Sequence, residues 1–194
     1  MEKENIFNIP NALTLIRILI TFPLIYLIFT DASILYIALI FIIGMLTDFF
    51  DGFIARNFNL KTEFGRKFDM FADRVLMIGT AVSFLIKLFI SKKLIKEQIF
   101  QIILILSREI ILFPVILIVF ILKRKIIFPQ VRIIGKTTTL FQSISFPLVL
   151  LNNYYSFLSF SVYFAIFTGI LGLISSFYYT KDIIKETKNF KPIE

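Results

Sequence analysis

Four aspartates stand in stretches otherwise apolar enough to lie in lipid. Asp48 and Asp51 fall toward the end of one long apolar run, and Asp69 and Asp73 at the start of the next. On helices, residues three or four apart share a face, so each pair presents its carboxylates together. A short link makes the two helices antiparallel neighbours, and the four carboxylates then converge on one pocket. An Asp at the centre of a spanning helix costs about 2.5–3.5 kcal/mol on insertion scales, and less near the membrane surface. Four together also repel one another unless cations neutralise them. Two divalent ions would cancel that charge, and such a pair can bind a pyrophosphate, polarise a phosphorus under attack and stabilise the leaving oxygens. Pairing with Arg56, Arg66, Arg74 or Lys67 would explain any one of these aspartates, but not the whole constellation. The chain contains no His and no Cys. Thiolate catalysis, disulfides, the usual zinc ligands and the usual general base are thereby excluded. Asp and Glu must carry any acid–base or metal chemistry, which favours the hard cations Mg²⁺ and Mn²⁺. Gly52 and Gly65 each cost about 1 kcal/mol relative to Ala in a helix, so a nucleotide or a neighbouring helix approaching the backbone is the expected reason for them.

The elements that must hold these residues are membrane helices. Of 194 residues, 58% are hydrophobic, where a soluble domain has about 45–50% apolar residues. Apolar runs predict spans at about 12–30, 34–54, 68–90, 99–122, 133–151 and 154–179, each close to the roughly 20 residues a helix needs to cross lipid. The expected fold is all-α: a polytopic bundle of about six transmembrane helices forming one domain over 1–194. The segment Asn5 to Pro10 is read either as an interfacial segment, with Ile6, Phe7 and Ile9 as its apolar side, or as a lead-in without structure of its own. The polar start lacks a small-residue cleavage site after the first apolar run, so no cleavable signal is expected. The net charge of +8 fits loops facing anionic headgroups and phosphate-bearing substrates, and no nucleic acid is expected as a partner. Basic residues cluster after the second span (Arg56, Lys61, Arg66, Lys67), after the fourth (Lys123, Arg124, Lys125, Arg132, Lys136) and in the tail, whereas the links near Asp31 and Asn152 have none. The positive-inside rule then places both termini and the carboxylate pocket on the cytoplasmic side of the inner membrane, with Lys92, Lys93 and Lys96 as the dissenting link.

In order, the residues read Asp48-x-x-Asp51-Gly52-x-x-Ala55-Arg56, eight residues, Gly65-x-x-x-Asp69-x-x-x-Asp73. This resembles the complete signature of the CDP-alcohol phosphotransferase family, and the six-helix layout resembles that family too. The resemblance implies Asp48, Asp51 and Asp69 as metal ligands, with Asp73 as the base that deprotonates the acceptor hydroxyl and as a further metal contact. It implies Gly52, Ala55, Arg56 and Gly65 as the lining of the cytidine diphosphate site, where a guanidinium fork suits phosphate oxygens. The implied reaction is transfer of a phosphatidyl group from CDP-diacylglycerol to an alcohol, with release of CMP, as in phospholipid biosynthesis. Family members also resemble homodimers.

Further similarities point to the branch of the family that uses glycerol 3-phosphate. They are Asn8-Ile9-Pro10-Asn11-x-x-Thr14-x-x-Arg17 at the start, Arg108-Glu109-Ile110 on the fourth span, and Gly135-Lys136 with Thr139 and Gln142 on the fifth. The resemblance implies Arg108 and Lys136, and less directly Arg132, as holders of the acceptor's phosphate. Thr138 stands where that branch commonly has a second Lys, and Ile111 to Pro114 where it has small residues and another Arg. Arg108 also lies about 21 Å from the cytoplasmic end of a straight helix, so it requires a projecting helix or a bend at Pro114. Phosphatidylglycerol and an inositol phosphate are the alternative acceptors. The competing class is a divalent-cation transporter, which needs acidic ligands but has no use for Gly52, Arg56 and Gly65 at these spacings.

Overall fold

The computed structural model describes residues 8–58, 60, 62–91, 96–123, 132–152 and 160–188, which hold seven helices and no strand. In chain order these are α1 (Ile9–Phe29), α2 (Ile34–Asn57), α3 (Glu63–Ile90), α4 (Lys96–Ile105), α5 (Ser107–Lys123), α6 (Ile133–Leu151) and α7 (Ser161–Lys188). Four of them (α1, α2, α6 and most of α7) are long and apolar enough to cross a membrane, and α4 with α5 supply a fifth span if the bent pair counts as one. The protein is thus a multi-pass, all-helical membrane bundle. α3 has the length for a span, at 28 residues, but Asp69, Asp73, Arg74 and Lys87 lower its apolarity. The chain forms two compact units, Met1–Ile95 and Lys96–Glu194.

In the first unit, α1 packs against both α2 and α3. Its start is fixed locally: the Asn8 side chain accepts from the Asn11 N–H at 2.9 Å, and Pro10 lies in the first turn, where a missing N–H costs nothing. Asn8 therefore caps α1. The segment 1–7, which carries the rest of the expected interfacial stretch, lies outside the described residues. α3 begins five residues before the predicted span because Thr62 caps it, its hydroxyl accepting from the Gly65 N–H at 2.9 Å. At the opposite end, Lys87 of α3 pairs with Asp31 at 2.7 Å and donates to the Phe29 carbonyl at 3.1 Å. Leu24, Ile28, Ala38, Phe41, Ala72, Leu76 and Ala81 are fully or almost fully buried between the three helices. Phe22, Tyr26, Phe53 and Phe89 are exposed on the outside, as expected where lipid is the solvent.

In the second unit, α7 is the central helix, in contact with α4, α5 and α6. The predicted fourth span is two helices, bent by 54° at Leu106. Of the two alternatives offered for Arg108, a projecting helix or a bend at Pro114, the bend lies elsewhere: Pro114 is inside a continuous α5. The polar run Ser107-Arg108-Glu109 at the bend has partners on other helices, and these redirect the chain. Ser107 donates to the Gly169 carbonyl of α7 at 3.3 Å, and Gln142 of α6 donates to the Ile105 carbonyl at 2.7 Å and to Glu109 at 2.8 Å. A backbone break at membrane depth is tolerated where neighbouring helices satisfy the freed groups. Most of the stretch between 151 and 161 lies outside the described residues, so the predicted start of the last span near Tyr154 does too. Its end is longer than predicted, reaching Lys188.

Candidate active site

The last turns of α2 and the first turns of α3 bring the four predicted aspartates together. The spacing is the cause: Asp48 and Asp51 share a face of α2, Asp69 and Asp73 share a face of α3, and both faces turn toward α1. One carboxylate oxygen each from Asp48, Asp51 and Asp69 lie within 4.8 Å of one another. Asp51 is closed off, with its side chain 5% exposed, while Asp48, Asp69 and Asp73 keep 31%, 36% and 23%. The cluster thus has a closed floor at Asp51 and an open side formed by the other three.

The cation in this cluster is Arg17, which arrives from the middle of α1 with no exposed surface. Its Nη1 lies 2.6 Å from Asp73, 2.8 Å from Asp69 and 3.5 Å from Asp48, and its Nη2 lies 2.5 Å from Asp51. Its Nε donates to the Thr47 hydroxyl at 3.3 Å. Thr14, one turn earlier on α1, places its hydroxyl 3.2 Å from Asp51. Of the cations that sequence reasoning offered as partners, Arg66 pairs with Glu63 at 3.0 Å, Arg74 donates to the Met70 carbonyl at 3.1 Å, and Arg56, whose charge also acts on Asp48, donates to the Gly52 carbonyl at 2.9 Å. The motif Asn11-x-x-Thr14-x-x-Arg17, at first only a mark of one branch, thus builds the third wall of the carboxylate site. One sequence signal could have found it: an Arg in the middle of an apolar span needs a buried partner.

Four carboxylates against one guanidinium leave three formal negative charges in a partly closed site. The donors are all hard oxygens, three of them already close enough to share an ion. That donor set fits a divalent cation of the Mg²⁺ or Mn²⁺ type.

The four other motif positions differ among themselves. Gly52, Ala55 and Arg56 continue α2 just beyond Asp51, and Arg56 is exposed. A Cβ at Gly52 would have only the end of the Arg56 side chain within 4 Å, at 3.8 Å. A Cβ at Gly65 would lie 2.5 Å from Asn11 Oδ1 and 2.9 Å from Thr62 Oγ1. Gly65 therefore makes room for the neighbouring helix, whereas Gly52 leaves open space beside the carboxylates.

The predicted acceptor-phosphate residues lie in the second unit. Arg108 is buried and saturated: it donates to Glu109 at 2.7 and 2.9 Å, to Gln142 at 2.9 Å, to the Gly135 carbonyl at 3.1 Å and to Thr139 at 3.0 Å. Arg132 makes a two-pronged pair with Asp182 at 2.7 and 2.8 Å, with its guanidinium 5.3 Å from the Tyr178 ring centre. Lys136 is exposed. Thr138, where a second Lys was expected, is buried and bonded to the Ile134 and Leu171 carbonyls.

Fold and site together define a multi-pass membrane protein whose first unit holds a centre of carboxylate oxygens. The chain belongs to the CDP-alcohol phosphatidyltransferase family, whose profile matches residues 7–174, and members of this family act with divalent metal. It is similar to the CDP-diacylglycerol–glycerol-3-phosphate 3-phosphatidyltransferase of Rickettsia typhi, at 43% identity over 41% of this chain and 46% of that protein. Proteins of the same name from Wigglesworthia glossinidia brevipalpis and Escherichia coli K12 match at 46% and 44% identity, each over 37% of this chain and 40% of theirs. The matched stretch spans less than half the length of these relatives.

Proposed function

We propose that this protein transfers the phosphatidyl group of CDP-diacylglycerol to the hydroxyl of sn-glycerol 3-phosphate, giving phosphatidylglycerophosphate and CMP. The observation that carries this reading is the convergence of Asp48, Asp51, Asp69 and Asp73 on one partly open site, in a chain whose family handles CDP-linked alcohols. Two divalent ions, Mg²⁺ or Mn²⁺, would neutralise the pyrophosphate and polarise the phosphorus that is attacked. Asp48, Asp51 and Asp69 would hold them, with Asp73 as a shared contact. Gly52 and Ala55, beside the open space, leave room for the cytidine diphosphate, and exposed Arg56 can fork its phosphate oxygens; Gly65 belongs to this region through the packing that fixes the start of α3. Asp73 takes the proton from the acceptor hydroxyl as its oxygen bonds to phosphorus, and the bond to the CMP oxygen breaks. Lys136 is the most accessible of the three acceptor-phosphate candidates, being exposed and holding, among the described residues, no partner that it would have to give up. Arg108 and Arg132 would first have to exchange partners they already hold.

That saturation, together with Thr138 in place of a Lys, favours one second reading: the same chemistry with another acceptor, such as phosphatidylglycerol (giving cardiolipin) or an inositol phosphate. The family match runs through both units, which supports treating 1–194 as one domain. We further place the protein in the inner membrane with the site facing the cytoplasm, and as a homodimer.

The deciding experiment is CMP release by the purified, detergent-solubilised protein. It would be supplied with CDP-diacylglycerol and Mg²⁺, with glycerol 3-phosphate, phosphatidylglycerol, inositol phosphate, serine or no acceptor in parallel. Release with glycerol 3-phosphate alone, abolished by EDTA and restored by Mg²⁺ or Mn²⁺, is the expected result. Release with a different acceptor keeps the chemistry and replaces the substrate. Neither release nor metal-dependent CDP-lipid binding would return the carboxylates to the cation-transport reading.

A further inference from the structure

Among the described residues, Arg17 is the one group that touches all four carboxylates, and the reaction as written gives it no part. Its Nη1 lies 2.6 Å from Asp73, 2.8 Å from Asp69 and 3.5 Å from Asp48. These are oxygens a metal ion would need. The guanidinium is fully buried, it is anchored through Nε to Thr47, and Thr14 of the same helix braces Asp51. A guanidinium stays charged at any physiological pH and cannot coordinate a metal.

We propose that Arg17 is a positioning residue: the built-in counter-ion that keeps the four carboxylates gathered in the metal-free protein and competes with divalent cation for them. The inference rests on reading the cluster as a divalent-metal centre. Two effects oppose each other when Arg17 is removed. The carboxylates lose the clamp that fixes their spacing, which weakens a metal site. They also lose a permanent positive charge in direct contact with the ligand oxygens, which strengthens it. At contact distance in a partly dry site the repulsion between two like charges is the larger effect. Removing the charge should therefore tighten metal binding, while the metal-free protein, left with four uncompensated carboxylates, loses stability. A residue that only buttresses the fold would lower stability equally with and without metal and would leave affinity unchanged.

The test is calorimetric titration of the full chain in detergent with Mn²⁺, for the wild type, Arg17→Gln and Arg17→Lys, with thermal unfolding of each in EDTA and in saturating Mn²⁺. Arg17→Gln should bind Mn²⁺ about tenfold more tightly, unfold at a lower temperature in EDTA, and recover most of that loss with Mn²⁺. Arg17→Lys keeps the charge without the fork and should keep near wild-type affinity. Equal or weaker Mn²⁺ binding by Arg17→Gln would overturn the proposal while leaving the metal centre intact. A wild type that binds no Mn²⁺ would instead overturn the metal-centre reading, and this inference with it. If Arg17→Gln is recovered only when Mn²⁺ is present, that dependence itself supports the counter-ion role. If it is not recovered at all, Arg17→Met, which removes the charge but fills the buried volume, decides: stability loss that Mn²⁺ reverses supports the proposal, and equal loss in EDTA and Mn²⁺ overturns it.

Discussion

At the scale of single residues, the two glycines of the motif separate a ligand effect from a packing effect. Gly65 lies against Asn11 and Thr62, so a methyl group there must push a side chain of α1 or the cap of α3. Gly52 has only a flexible Arg56 end near it. Gly65→Ala should therefore cost about 1–3 kcal/mol of stability through overpacking. Gly52→Ala should leave the unfolding temperature unchanged or slightly raised, since Ala is the better helix former, yet raise the KM for CDP-diacylglycerol severalfold. Thermal unfolding in detergent and CMP-release kinetics read the two apart; a Gly52→Ala enzyme with wild-type kinetics would remove Gly52 from the nucleotide site. Asp73→Asn tests the base in the same spirit. An amide still accepts from Arg17 but cannot take a proton. Transfer should fall about 10²–10⁴-fold, while metal-dependent CDP-lipid binding survives. Equal loss of both would move Asp73 wholly into the metal shell. For the acceptor, Lys136→Ala should raise the KM for glycerol 3-phosphate more than it lowers kcat, because a cation that holds the phosphate acts in ground and transition states alike. An unchanged KM leaves Lys136 as a topology anchor.

At the scale of helices, α1 and the α4–α5 break are where structure adds most to sequence. The carboxylate pairs were legible because their spacing is local: three and four residues apart on one helix is a statement about one face. Arg17 was not legible as their partner, since it is 31 residues from Asp48 and 56 from Asp73, and periodicity says nothing of which helices touch. The break at Leu106 was not legible for a related reason. Pro114 is the local breaker, but the break lies where Ser107, Arg108 and Glu109 meet α6 and α7, contacts that one helix cannot reveal. Gln142 is the staple of that break, donating to both the Ile105 carbonyl and Glu109 and accepting from Arg108. Gln142→Leu would leave these buried groups short of partners, at a cost of about 1–3 kcal/mol for an unsatisfied group. Thermal unfolding should fall accordingly. If Arg108 serves the acceptor, the loosened network should also change the KM for glycerol 3-phosphate; a lower stability with unchanged KM would assign Arg108 to the fold alone.

At the scale of the whole molecule, function depends on which face of the membrane the carboxylates open to. The first unit fixes its own two ends: the Asp31–Lys87 pair joins the α1–α2 turn to the end of α3, and Asn8 reaches the Leu60 carbonyl, 3.5 Å away, at the other end with the aspartates. Basic residues near Asn57 favour the cytoplasm for the aspartate end, but Lys92, Lys93 and Lys96 follow the opposite end and argue against it. The chain has no Cys, so single cysteines report topology without background. Phe58, Ser33 and Ser91 are exposed at the ends of helices in this unit. In intact cells, a membrane-impermeant maleimide should label Ser33→Cys and Ser91→Cys, whereas Phe58→Cys should react only in inverted vesicles. Each variant must retain CMP release, so that labelling describes a working enzyme. The reverse pattern would turn the carboxylates outward and withdraw the cytoplasmic placement, with the three lysines after α3 as the stronger topological signal. Labelling of Ser91→Cys and Phe58→Cys from the same side would mean that α3 does not cross the bilayer, and that its charged first turns keep it at the surface.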